Sequence, residues 1–398
     1  MPAWDITCRV RRESDCSVAC PHYFKGMTLN HDSTQDPIIG RPLPGHIRRT
    51  IQASYALRRV PDSSLHTLLP APEVPKVGDI VLARVEAIGK NVALDLRDGR
   101  RSSLHEGSLI AAVFGNRYAS LQFEGYARAD GDRCHLLSVG GLCGLVATRH
   151  DTTPEPTKLR IQGMLAGPDG LPLRLQDFAL PFAPLVDAPA PRVAVVLGTS
   201  MDAGKTHTAR SVILGLRRQG VRVAAIKLTG TAASRDTYVM LDAGACVALD
   251  FVDGGLPSTF LCPLQELLNL YRRLVEQAAA AGASWVVVEI ADGVIQGETA
   301  ALLASPRFTS SVDAWLLAAV DALGALGGQQ ILRRVGITPL AVSGLVSRSA
   351  LCRREVEAAT NIPCKAASEL EDGGLNARLM ACADPQLLEA SSGQHAVV

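Results

Sequence analysis

The stretch VAVVLGTSMDAGKT, Val193 to Thr206, holds the residues best suited to chemistry. A run of β-branched and apolar residues ends at Gly198. Thr199, Ser200, Met201, Asp202 and Ala203 lead from it into Gly204-Lys205-Thr206, and the apolar pattern SVILGLRR follows His207 and the residues after it. The order is strand, glycine-bearing loop, helix. Such a loop turns consecutive backbone N–H groups toward a phosphate, with the positive end of a helix behind them. Lys205 is placed to reach the β- and γ-phosphates of a nucleotide, and the Thr206 hydroxyl to sit on Mg²⁺. The expected nucleotide-contacting set is Gly198, Thr199, Ser200, Met201, Asp202, Ala203, Gly204, Lys205, Thr206 and His207.

Two further segments supply charge. VVVEI, Val286 to Ile290, reads as a buried strand ending in acid. A carboxylate there is costly unless paired or metal-bound, and beside a phosphate loop such a group holds or orients Mg²⁺. Glu289 is the candidate, with Asp292 three residues on; the plainer reading is a surface acidic pair at a strand end. Lys227 closes the strand VRVAAIK, and the C-terminal end of a parallel strand faces the ligand crevice of an open α/β sheet. Thr229, Thr231 and Ser234 follow it, as substrate-facing hydroxyls or as plain loop polar groups.

The loop departs from the common G-x-x-x-x-G-K-[ST] spelling, because Thr199 stands where the first glycine belongs and Gly198 lies one residue earlier. The resulting G-T-x-x-x-x-G-K-T resembles dethiobiotin synthetase and its relatives, the branch of P-loop proteins containing carboxylate and carbamate kinases and ligases. The resemblance covers residues 192 to 365 and rests on GTSMDAGKT, Lys227, Asp236 and VVVEI. It implies that Asp236 is brought to the metal beside Thr206 and Glu289. It implies catalysis by Lys205, Lys227 and Glu289, through positioning and charge neutralisation, and a homodimer. Two segments depart from it. The glutamate strand runs into ADGVIQGET rather than glycine-rich sequence. LDAGACVALDFVDGGLPSTF has no counterpart, and has some likeness to the molybdopterin-guanine dinucleotide accessory proteins.

The elements that must position these residues form a chain of 398 residues, enough for two or three domains. Residues 187–398 read as alternating strands and helices, with unbroken Val, Ala and Ile runs typical of strands covered on both faces. The fold class is therefore α/β, a parallel-sheet P-loop domain with helices on both faces, preceded by a smaller β-rich barrel or sandwich domain at 73–180. Short alternating runs and the Asp98-Gly99 hairpin signal mark that domain, with residues 75 to about 130 as its antiparallel body. Residues 1–72 read as an extension, partly disordered, with HIRRTIQASYALRRV, ending at Val60, as its one helix. The Pro/Ala-rich segment from Leu180 to Arg192 reads as a linker with few contacts across it, so that a fragment starting near Asp187 would fold and bind Mg·ATP alone.

A net charge of +1 gives no electrostatic case for nucleic acid or an acidic membrane surface. No apolar run is long enough to span a bilayer, and the N-terminus lacks a secretory order. Scattered cysteines suit a reducing cytoplasm. Cys16, Cys20 and His22, with Cys8 as a fourth donor, are spaced more loosely than structural zinc ligands, and the plainer reading is a cysteine-bearing extension.

The expected function is an ATP- and Mg²⁺-dependent enzyme that phosphorylates a small carboxylate or carbamate, with capture by an amine or ring closure. The absence of a guanine-reading N-K-x-D segment favours ATP. The alternative is a nucleotide-hydrolysing accessory protein for cofactor loading or protein regulation. Arg348, near the last strand, reads as nucleotide-touching or as an ordinary solvated arginine.

Overall fold

The computed structural model describes residues 40–184 and 189–383. Cys8, Cys16, Cys20 and His22 lie outside the described residues.

The first half is built on five strands, β1 (Ile80–Ala87), β2 (Leu109–Phe114), β3 (Arg133–Leu136), β4 (Leu142–Arg149) and β5 (Thr157–Ala166). β1 pairs β2 and β5, β3 pairs β4 and β5, and β2 pairs β4, so the ladder closes on itself as a barrel. The alternation of side chains fixes which face is inside. Val81, Ala83 and Val85 of β1, with Ile110, Ala112 and Phe114 of β2, fill the barrel core. Their neighbours Ile80, Leu82, Ala111 and Val113 point outward, into a second core. The Asp98-Gly99 hairpin forms between Ala93–Asp95 and Arg101–Ser103, with Gly99 at φ +81°.

Three expectations need correction here. The barrel is mixed rather than antiparallel, because β2 and β4 run parallel. Its body extends through Ala166, since β3, β4 and β5 are integral staves. The stretch ending at Val60 is not one helix. It breaks into a short helix at Gly45–Arg48, a strand at Gln52–Ala53 and a 3-10 turn at Tyr55–Leu57. Its apolar residues follow the barrel surface instead of a helical stripe.

The second half holds six parallel strands: β6 (Arg192–Gly198), β7 (Val223–Lys227), β8 (Ala248–Asp250), β9 (Trp285–Glu289), β10 (Ala314–Ala318) and β11 (Ala341–Ser343). Their order in the sheet is β8-β7-β9-β6-β10-β11. Successive residues of β6 enter opposite cores. Val193, Val195 and Leu197 face one, Ala194 and Val196 the other, as a strand covered on both sides requires. Helix α1 (Lys205–Arg218) covers one face through Ala209, Ile213 and Leu216. The other face is covered by Leu267, Leu270 and Leu274 of α3 (Leu264–Ala280) and by the barrel. Helix α2 (Ser234–Asp242) forms where the sequence suggested a loop, and helix α4 (Ala322–Arg334) and strand β8 add to the alternation of strands and helices.

The linker expectation also fails. Leu57, Leu142 and Leu175 share one apolar core with Ile226, Phe251 and Val288. Arg58 lies between two carboxylates of the second half, 2.6 Å from Asp250 Oδ1 and 2.7 Å from Asp253 Oδ2. Tyr55 Oη donates to Asp250 Oδ2 at 3.0 Å. Leu180 N–H donates to Asp253 O at 2.7 Å, so even the start of the linker is pinned.

Candidate nucleotide site

The register of the sheet assembles the site. Val196 on β6 stands opposite Glu289 on β9, and Lys227 on β7 stands opposite Glu289 from the other side. Three chemically active strand ends therefore meet at the C-terminal edge, where open parallel sheets bind ligands.

Gly198 ends β6 for a steric reason. A Cβ there would stand 2.6 Å from Lys205 Cδ and 2.8 Å from Cγ, so only glycine lets the lysine stem fold back over the strand end. Gly204 has φ +95°, and a Cβ on it would stand 2.9 Å from Gly344 Cα. Leu345 N–H donates to Ala203 O at 3.1 Å, so the turn after β11 buttresses the loop. Asp202 takes a left-handed conformation at φ +60° and is exposed. Thr199 N–H donates to Ala318 O at 2.9 Å, which ties the loop's start to β10. Helix α1 begins at Lys205 with no side-chain cap, leaving its first N–H groups for an anion. Ser200 and His207 are exposed and Met201 is half-buried.

Lys205 is buried, and its Nζ donates to Ser200 O at 2.7 Å. Burial pushes its pKa below the usual lysine range, against the pull of Glu289 and Asp292. A phosphate entering the loop would relieve that penalty. Thr206 Oγ1 donates to Glu289 Oε1 at 2.9 Å. Glu289 is 2% exposed, and its other oxygen, Oε2, is buried without a hydrogen-bond partner. The Thr206 hydroxyl and the Glu289 carboxylate, one of whose oxygens is orphaned, are hard donors that fit Mg²⁺, which takes few protein ligands and leaves positions for phosphate and water.

Asp236 stands elsewhere. It lies in the first turn of α2, and Lys227 Nζ is ion-paired with its Oδ2. Among the described residues no group of three or more His, Cys, Asp or Glu side chains is poised to hold a metal. The structure thus joins Thr206 with Glu289, and Lys227 with Asp236, as two adjacent pairs.

The loop hydroxyls divide. Thr229 Oγ1 donates to Ala291 O and accepts from Ala291 N–H at 2.8 Å, a clip between the loop after β7 and the segment after β9. Ser234 turns to the barrel, where its N–H donates to Asp95 Oδ2 at 3.2 Å. Arg348 is exposed.

Two charged groups complete the site. Burial holds the Asp292 carboxyl above the usual range, opposed by Lys205, Lys227 and Arg117. Arg117 comes from the barrel half and is 6% exposed. Asp292 carried a sequence signal, as the second acid after VVVEI. Arg117 carried none, because FGNRYAS looks like any surface turn until the barrel is laid against the sheet.

The strand order, the glycine-bearing loop and the lysine at its helix start make this a P-loop nucleotide-binding fold. No family model matches the chain. No curated protein matches it either. Among solved structures, the chain is similar to the 54 kDa signal recognition particle protein of Aeropyrum pernix K1 in complex with GDP, at 21% identity and TM-score 0.34 over 52% of this chain and 50% of that one. It is similar to the signal recognition particle receptor FtsY of Elizabethkingia anophelis in complex with GDP, at 16% identity and TM-score 0.32 over 48% and 66%. Chloroplast FtsY of Physcomitrella patens follows, at 18% identity and TM-score 0.33 over 50% and 70%. The match thus spans half the length of the first of these.

Proposed function

We propose that the protein is an ATP- and Mg²⁺-dependent enzyme that phosphorylates a small carboxylate or carbamate and passes the acyl phosphate to ligation or ring closure. The observation that carries this reading is the second lysine. Lys227 stands at the strand end beside Glu289, with its side chain 12% exposed, and among the described residues its ion pair is with Asp236. Holding a nucleotide needs one lysine on the phosphates. A second, at the acceptor side, neutralises the charge that develops as the phosphoryl group moves onto another anion.

Lys205 binds the β- and γ-phosphates and Lys227 bridges the γ-phosphate and the acceptor oxygen. Thr206 and Glu289 would hold Mg²⁺. The metal supplies charge neutralisation on the phosphate oxygens. The protein's own contribution is alignment in a site screened from water, with no covalent intermediate on a side chain. The chain acts as a homodimer in the cytoplasm. No helix among the described residues is long and apolar enough to cross a membrane.

The test is ADP release from Mg·ATP in the presence of pooled small carboxylates, with hydroxylamine to trap an acyl phosphate as its hydroxamate. One acid or carbamate source should stimulate release and yield the trapped product. Slow release that no small acid stimulates, but a partner protein does, would overturn the reading in favour of an accessory nucleotide hydrolase. The same assay with Mg·GTP decides the base, and light scattering decides the dimer.

A further inference from the structure

A cavity of about 390 Å³ lies where the barrel meets the loop after β7. Its lining includes Lys90, Arg101, Arg117, Ser138 and Thr231, and no carboxylate. Thr231, on the loop that leaves the strand end carrying Lys227, is four residues beyond that lysine. The two halves are closely fitted there. Ser138 Oγ donates to Ala232 O at 3.3 Å, and a Cβ on Gly140 would stand 2.0 Å from that oxygen.

Arg117 is the unusual member. Its backbone is fixed by paired hydrogen bonds with Gly125, at 2.8 and 3.0 Å. Its guanidinium donates to Leu137 O and, at 2.8 Å, to Gln122 Oε1, both neutral acceptors. Its Nε is buried with no partner. Burial lowers its pKa to about 10, with Asp292 the carboxylate opposing that loss. A buried guanidinium with only neutral acceptors is costly, and that cost is retained where an anionic ligand is to be the counter-charge. Asp292 opposes the effect of burial at both Lys205 and Arg117.

We propose that this cavity holds the second acid group of the acceptor, so that the substrate is a small dicarboxylate gripped at one end by Arg117 and phosphorylated at the other beside Lys227. This rests on the reading of the protein as a carboxylate-phosphorylating enzyme. The planar fork of arginine matches a carboxylate with two parallel hydrogen bonds, which an ammonium cannot do. Lys90 adds a second positive charge from the exposed rim, while Arg101 is shared with Asp95, its Nε 2.8 Å from Oδ1. A cavity of this volume suits a small molecule rather than a peptide or a nucleic acid.

The test is calorimetry on the full chain without nucleotide, titrating succinate, glutarate and adipate against butyrate and inorganic phosphate. One diacid should bind, and the matched monoacid at least about tenfold more weakly, since the lost contact is a charge-assisted one. Arg117→Gln should weaken diacid binding about 10- to 100-fold, with Arg117→Lys in between. Where Arg117→Gln fails to fold, Lys90→Glu carries the test, because a reversed rim charge should weaken the diacid several-fold while leaving the melting temperature in place. Equal binding of butyrate and diacid, tighter binding of inorganic phosphate than of any diacid, or indifference of the diacid to Lys90→Glu would overturn the proposal. ADP release read in parallel separates the two levels. Diacid binding without stimulated ADP release removes the phosphorylation reading and leaves the pocket. Stimulation by monoacids, unchanged in Arg117→Lys, removes the pocket and leaves the phosphorylation reading.

Discussion

Replacing Arg58 by methionine should destabilise the whole chain, not only the segment that bears it. The guanidinium lies 2.6 Å from Asp250 and 2.7 Å from Asp253, whose side chains are 2% and 8% exposed. It also sits 4.4 Å over the Tyr55 ring. Methionine keeps most of the stem but leaves two nearly dry carboxylates facing each other. Breaking a buried ion pair by removing one partner costs about 3–5 kcal/mol. For a chain of this size that corresponds to a fall in Tm of roughly 4–8 °C. The pH dependence gives the sharper test. Burial already holds the Asp253 carboxyl above its ordinary value, with Arg58 opposing, so Arg58→Met should raise it further. A carboxyl raised in the folded state contributes stability that is present below its unfolded value and lost as pH rises through the folded value. The deficit should therefore be full near pH 7.5 and shrink near about pH 5, as Asp253 takes up a proton. Arg58→Met combined with Asp253→Asn should recover part of the loss. The assay is thermal and urea unfolding of both variants at both pH values. A deficit under about 1 kcal/mol at neutral pH, or one that does not change with pH, would refute the assignment of this triad as the lock between the halves.

The other expectations follow from the same contacts. Lys205→Ala should weaken Mg·ATP binding by at least about tenfold and keep the wild-type circular dichroism, because burial already works against the lysine's charge; wild-type binding by a folded variant would sink the phosphate-loop reading. Glu289→Gln keeps the shape that accepts the Thr206 hydroxyl but removes the carboxylate charge, so titration should show nucleotide affinity losing most of its Mg²⁺ dependence. Thr229→Val should lower stability by about 1–3 kcal/mol in chemical unfolding, since Ala291 N–H loses its buried partner and Ala291 O keeps only Thr299 Oγ1, at 3.1 Å. A fragment starting near residue 187 should aggregate on expression, because it exposes the core face that Leu57, Leu142 and Leu175 cover; a soluble, cooperatively melting fragment would show that the barrel is dispensable for folding.

The nucleotide loop was readable because its chemistry is local. Gly198, Gly204, Lys205 and Thr206 lie within one strand–helix unit, and local sterics dictate where glycine must stand, the Lys205 stem at Gly198 and the backbone at Gly204. Glu289 was readable for a related reason, as an acid at the end of an apolar strand that the sheet then places one strand away. What lay beyond reach was non-local. Asp236 has a position in sequence that suits a metal, yet its partner depends on how α2 sets against β7, and that pairing goes to Lys227. Short elements escaped for lack of period: β8 is three residues long, and the two residues of Gln52–Ala53 cannot alternate enough to announce a strand. The apparent linker misled because proline and alanine signal a flexible chain only when neighbouring segments have nothing to bury together. Here the outward faces of β1 and β2 carry Ile80, Leu82, Ala111 and Val113, four apolar residues on a barrel exterior that should be polar if it met water. Strands apolar on both faces, in a barrel small enough to fill its own interior, already require a second layer. The same packing that removes those residues from water brings Arg117 to the edge of the nucleotide crevice. The packing of the two halves and the placement of Arg117 therefore share one cause, the apolar exterior of the barrel.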